Sequence, residues 1–201
     1  MIRKTVLALS LLVMALGTVV VSSAAANASV GPRKTTAVTF TGKITCKIVS
    51  KGSTITVKPG LLLTAKRPHG ETFTTTINLA KCTGKTSEGG STILSGKVSG
   101  KGTANTTCVG LLTPPLPTTK GTIVWKTKGL PAASTTFTLS KGSLDSTTGV
   151  ETYSSKQKGS FSGKGSVSAK VKQSTTQLET ACESSKGLTT INLASGKVVA
   201  G

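Results

Sequence analysis

The sequence has 201 residues, of which 25 are Lys or Arg and only 6 are Asp or Glu, so its formal net charge is +19. A chain of this length suits one domain with a substantial core. Aromatic residues make up only 3% of the chain and almost all basic residues are Lys. This composition argues against specific nucleic-acid recognition, which depends on stacking rings and planar guanidinium groups.

The first predicted element is an export signal. Arg3 and Lys4 precede an apolar run over residues 5–21, and Ala26-Asn27-Ala28 fits the pattern of a cleavage site. An uncleaved membrane anchor is the alternative, because the run is nearly long enough to span a bilayer. Cleavage removes Arg3 and Lys4 and lowers the net charge from +19 to +17. The predicted organisation is a signal peptide at 1–28, a flexible N-terminal segment at 29–37 and a single β domain at 38–201.

Small or apolar residues alternate with Thr, Ser and Lys from Val38 to the C-terminus, which predicts a series of β-strands. Lys51-Gly52, Lys58-Pro59-Gly60 and Lys141-Gly142 are predicted turns. Only Ser174–Ser184 is a candidate for a short helix. The predicted strands lie, in chain order, at 39–49, 53–58, 71–81, 92–108, 121–128, 134–140, 150–156, 159–172 and 188–199.

The faces of two strands indicate how the sheet is arranged. In 159–172, Phe161, Gly165 and Val167 share one side while Ser and Lys occupy the other, and 92–108 repeats this pattern. Glycine on an inward face leaves room for a neighbouring ring or permits a sharp bend where a sheet closes. We therefore predict an all-β fold of about eight to ten strands, as an antiparallel barrel-like closed sheet or a two-sheet sandwich.

The four cysteines, Cys46, Cys82, Cys108 and Cys182, predict two disulfides in an exported chain. Three pairings are possible. Cys46 lies in one strand and Cys82 ends the next long one, which favours a Cys46–Cys82 bridge. Cys108 and Cys182 each follow a Thr-rich stretch and precede a Gly-Leu pair, which favours a Cys108–Cys182 bridge.

The sequence contains no recognisable catalytic, cofactor or metal site. The only histidine, His69, lies in a predicted turn, and Glu179 and Glu183 are interpreted as a solvated helix face. Neither a nucleophile elbow nor a phosphate-binding loop nor a cluster of metal ligands occurs. We therefore expect no enzymatic activity and no cofactor.

The end of the chain carries a family resemblance. Residues Cys182 to Gly196 follow the pattern C-x-S-x-K-G-L-x-x-I-x-x-A-S-G, and GSFSG occurs at 159–163. With four cysteines and a signal peptide, this resembles a group of uncharacterised secreted β proteins of high-GC Gram-positive bacteria. The resemblance implies export and an all-β fold over most of the mature chain, and it adds no site.

Positive charge is the feature that points to a function. Lys97 and Lys101 lie on the polar face of 92–108, and Lys164, Lys170 and Lys172 lie on that of 159–172. If the two strands are neighbours, five ammonium groups line one wall. Lysine is a mobile, hydrated point charge and suits diffuse attraction. We predict a secreted, extracellular protein, retained at the cell wall, that contacts anionic envelope polymers or lipid headgroups through these lysines.

Three alternatives remain open. The lysines can serve only to keep the surface soluble and to protect edge strands. The barrel can carry a small apolar ligand, with Leu61-Leu62-Leu63 and Leu111-Leu112 at its mouth. Finally, a membrane β-barrel can turn its Ser and Lys side chains toward a wet pore.

Overall fold

The computed structural model describes residues 38–66, 69–84, 93–109, 119–130, 133–145 and 150–201. The predicted signal peptide at 1–28, the segment at 29–37 and Leu111-Leu112 lie outside these residues. The strands are β1 Ile44–Leu61, β2 Glu71–Gly84, β3 Ile93–Ala104, β4 Thr119–Thr127, β5 Ala133–Asp145, β6 Val150–Gly159, β7 Gly163–Val171 and β8 Leu188–Ala200, and the helix is α1 Thr175–Glu183.

The eight strands form one closed antiparallel barrel in which each strand pairs with the next and β8 pairs with β1. The predicted all-β fold is confirmed, and of the two predicted arrangements the structure adopts the closed sheet. Among these eight described strands, closure leaves no unpaired edge along which another chain could add a strand.

Three predicted turns are wrong because glycine and proline lie within continuous strands. The predicted segments 39–49 and 53–58 belong to one strand, β1, which runs through Lys51-Gly52 with a register shift between Val49 and Thr54. Pro59 likewise lies where the pairing of β1 with β8 shifts. β5 continues through Lys141-Gly142, again with a shift. Such bulges bend a strand and increase its twist, which a closed sheet requires.

The small and apolar face of each strand points inward, as the alternation predicts. Val98 and Val167 are 3% and 6% exposed, and Trp125 is 2% exposed. The Trp125 Nε1–H donates to Thr135 Oγ1 at 2.9 Å. A Cβ at Gly96 would lie only 3.0 Å from the Trp125 ring, so this glycine does leave room for a neighbouring ring.

Both predicted disulfides are present. Cys46–Cys82 joins β1 to β2, and Cys108–Cys182 joins the segment after β3 to α1. The predicted helix is also present: Ser174 accepts from the Gln177 N–H, and the Gln177 side chain accepts from the Ser174 N–H. This reciprocal capping satisfies two backbone donors at the helix start.

One end of the barrel is covered by the elements that the Cys108–Cys182 bridge joins. The Leu63 N–H donates to Cys182 O at 3.1 Å, and the Cys108 N–H donates to Leu62 O at 2.9 Å. Leu61 is completely buried beneath them. The single helix in the described part of the chain is not long and apolar enough to cross a membrane.

Candidate functional site

The five lysines predicted as a polyanion contact do not form one wall. All five are exposed, but β3 and β7 are not neighbours, because three strands separate them on either side of the barrel. The condition for a single wall, that the two strands are neighbours, is therefore not met. The alternation that the two strands share reflects the same division into inward and outward faces rather than adjacency.

A groove on the outer surface nevertheless brings lysines from four strands together. It has a volume of about 1300 Å³, and we call it the cross-strand groove. Its floor is one row of residues across six strands: Thr75, Gly100, Gly121, Phe137, Gln157 and Gly163. The floor is formed by the backbone of these residues, because the side chains of Thr75, Phe137 and Gln157 point into the barrel.

Two rows of outward side chains border this floor. On one side stand Lys101, Lys120, Lys156 and Lys164, with Thr74 and Thr138 in the same row, and we call this side the cationic bank. On the other stand Thr76, Ser99, Thr122 and Thr136, which we call the hydroxyl bank, with Lys158 at its end. All of these side chains are exposed or half-buried, because the alternation that buries the floor residues turns their neighbours outward.

The charged residues that line the groove, among those described, are all positive. Lys156 and Lys164 are direct register partners, and like charges directly opposite each other destabilise a sheet. Among the described residues that line the groove, none is acidic. The same kind of pair, Lys47 with Lys197, occurs between β1 and β8, so the groove is distinguished by its concavity and number of lysines rather than by the pair alone.

No family model, curated protein or solved structure matches this chain.

Lys101 and Lys164 are the two predicted contact residues that the groove unites. Lys97 lies instead in a smaller concavity of about 600 Å³ with Lys126. Lys170 and Lys172 are exposed at the far end of β7 and do not line either concavity.

Lys120, Lys156 and Lys158 were missed by the sequence analysis. The alternation in 150–156 does place Lys156 on an outward face, so part of the signal was present. The alternation does not reveal the register between neighbouring strands. This register aligns Lys120 with Thr138 across β4 and β5, and Thr138 with Lys156 across β5 and β6.

The barrel interior is packed. Its internal cavity has a volume of about 20 Å³ and is lined mainly by apolar side chains, including Ile77, Val98 and Leu139. A small-molecule site typically needs several hundred Å³, whereas one water needs about 10–15 Å³. Among the described residues, this internal cavity is far smaller than the space that an apolar ligand needs.

Thr75 provides a test of interior packing. Its Oγ1 is buried at the cavity without a hydrogen-bond partner, and an unsatisfied buried hydroxyl costs about 1–3 kcal/mol. We expect Thr75→Val, which keeps the shape, to raise the free energy of unfolding by about 1 kcal/mol in urea titrations. A loss of stability would mean that the hydroxyl is satisfied in solution.

Glu71 is a buried carboxyl group outside the groove. It is 1% exposed, and its Oε2 accepts from the Thr106 N–H at 3.2 Å, while Oε1 has no partner. This contact ties the segment before Cys108 to the start of β2. We assign Glu71 a structural role on the basis of this hydrogen bond. Among the described residues, no group of three or more His, Cys, Asp or Glu could hold a metal ion.

Proposed function

We propose that this protein is a secreted, non-catalytic polyanion-binding protein that attaches to anionic polymers of the cell envelope through the cross-strand groove. The observation that carries the proposal is the gathering of five exposed lysines, from β3, β4, β6 and β7, around one concavity. Depressions lined by one sign of charge focus the electric field and raise the local concentration of oppositely charged ligands.

The disulfides support the proposed compartment. Structural disulfides form and persist in oxidising environments such as the cell exterior. Cys46–Cys82 and Cys108–Cys182 use all four cysteines. The charge and apolar pattern of residues 1–28 supports export on separate grounds.

The alternatives receive less support from the geometry. A carrier of apolar ligands needs an internal space far larger than about 20 Å³, and the predicted mouth residue Leu61 is covered. A membrane barrel presents an apolar band outward, whereas this barrel turns Thr and Lys outward and its apolar side chains inward.

Binding to long-chain inorganic polyphosphate tests the proposal. We expect Lys156→Gln/Lys164→Gln to weaken binding about 30-fold, since a lysine near an anionic surface contributes about 1 kcal/mol. The slope of log K against log salt should become shallower by about 1.4, at about 0.7 per phosphate contact on a single strand. Fluorescence anisotropy over a salt series measures both quantities.

The matched control is Lys47→Gln/Lys197→Gln, which removes the same charge and the same kind of register pair from β1 and β8. It should weaken binding less than about threefold, because those lysines lie outside the groove. Equal losses in the two variants would show that net charge alone attracts the polymer. An affinity that does not change with salt concentration would overturn the proposal altogether.

A further inference from the structure

The cross-strand groove runs perpendicular to the strands. Its floor residues are register partners, as in Thr75 with Gly100 and Gln157 with Gly163. The groove therefore follows the hydrogen-bonding direction from β2 to β7, which is five steps of about 4.8 Å, or roughly 24 Å along the curved surface of the barrel. A ligand that fills it must be elongated and must curve around six of the eight strands.

The groove is also narrow. The cationic and hydroxyl banks stand two residues apart on each strand, which is about 7 Å. That width admits one polymer chain. The surface of a lipid bilayer is broad and could touch only the tips of the side chains in the two banks. A membrane would therefore leave the floor residues without contact.

The two banks differ in their balance of charge and hydroxyl groups. The cationic bank offers four ammonium groups and the hydroxyls of Thr74 and Thr138, whereas the hydroxyl bank offers four hydroxyls, from Thr76, Ser99, Thr122 and Thr136, and the single ammonium group of Lys158. Hydroxyls both donate and accept hydrogen bonds; Thr136 Oγ1, for example, donates to Lys158 O at 3.3 Å and can still accept. A ligand that satisfies both banks carries anionic groups along one edge and hydroxyl groups along the other.

Stacking is not available at the floor. The one aromatic residue that lines the groove among the described residues, Phe137, is only 5% exposed. Single-stranded nucleic acids are held largely by stacking of bases on exposed rings, so this surface does not suit them.

We propose that the groove binds a single chain of an anionic polysaccharide, which curves around the barrel across the strands with its acidic groups mainly on the cationic bank and its hydroxyls mainly on the hydroxyl bank. This inference rests on the proposed function, because it identifies the class of polyanion that the groove accepts.

Chain length gives the first test. Oligogalacturonates of increasing length serve as probes, titrated calorimetrically into the full mature chain. Affinity should rise with length and level off once the oligomer spans roughly 24 Å. A steady rise with charge well beyond that length would overturn the assignment of one bounded site.

The hydroxyl bank gives the second test. Thr122→Val/Thr136→Val removes two hydroxyls and keeps their shape, so it should weaken oligogalacturonate binding about tenfold. Binding of polyphosphate, which carries no sugar hydroxyls, should change less than about twofold. Thr152→Val/Thr189→Val, exposed positions outside the groove, is the matched control and should leave both affinities unchanged.

The outcomes separate this inference from the proposed function. If Lys156→Gln/Lys164→Gln weakens binding while the threonine variant has no effect on either probe, the polyanion site stands and the polysaccharide assignment is overturned. If vesicles rich in anionic lipid bind the groove more tightly than the oligosaccharide, the assignment is likewise overturned. If neither pair of substitutions weakens binding relative to its control, the proposed function itself fails.

Discussion

Removal of the Cys108–Cys182 disulfide, by Cys108→Ala/Cys182→Ala, is expected to lower the free energy of unfolding by about 4.4 kcal/mol. The bridge closes a segment with a sequence separation of 74 residues, and the entropy that a cross-link removes from the unfolded chain grows with the length of that segment. The bridge also ties α1 to the segment after β3, and both cover one barrel end. Urea unfolding of the variant and the wild type measures the difference.

The second disulfide provides the comparison. Cys46–Cys82 has a sequence separation of 36 residues, for which the same relation predicts about 3.8 kcal/mol. It joins β1 to β2, which are already held together by their ladder. Cys46→Ala/Cys82→Ala should therefore be less destabilising than Cys108→Ala/Cys182→Ala. A larger loss of unfolding free energy in Cys46→Ala/Cys82→Ala would contradict the expected dependence on the length of the closed segment.

Trp125→Ala is expected to lower the free energy of unfolding by about 3–5 kcal/mol. The indole is almost fully buried, packs edge-on against Phe161 with ring centroids 5.4 Å apart, and donates to Thr135 Oγ1. Gly96 lies against the indole ring and has no side chain that could fill the space. The truncation therefore leaves a cavity, and denaturant unfolding measures its cost.

Two further variants test this reasoning. Trp125→Phe keeps a ring but loses the hydrogen bond, so it should cost less than Trp125→Ala. Val124→Ala alters the next residue, whose side chain is 48% exposed, and should change stability by no more than about 0.5 kcal/mol. A Trp125→Ala variant as stable as Val124→Ala would mean that the ring does not organise the core.

Local patterns predicted much of the fold. Alternation identified the inward residues of the strands, including Val98 and Val167, because a side chain's side of a strand follows from its position alone. The helix lies within the predicted candidate Ser174–Ser184, and its capping box of Ser174 and Gln177 is a local signal that the sequence analysis did not use. Gly52 and Gly142 were misinterpreted as turns, since a bulge within a strand and a turn between strands both favour glycine.

The sequence predicted the type of candidate site, a surface that binds polyanions, but not the full set of residues that form it. An excess of outward lysine indicated a polyanion surface, and Lys101 and Lys164 do line the cross-strand groove. Lys120 and Lys156 were not predicted, because their position in the cationic bank depends on the register between β4, β5 and β6. Strands so rich in Thr, Ser, Gly and Lys can pair in many registers at similar cost, so sequence alone does not rank them.

Alternation and residue chemistry along the chain are enough to predict that this chain forms strands, which face of each strand is buried and which cysteines favour bridging. The order of the strands around the barrel, the register between them and therefore the set of lysines that share one groove emerge only from the folded barrel. Pairing between strands is non-local, because it is selected by closure of the whole sheet and by the fit of Trp125, Phe161 and the small residues inside it.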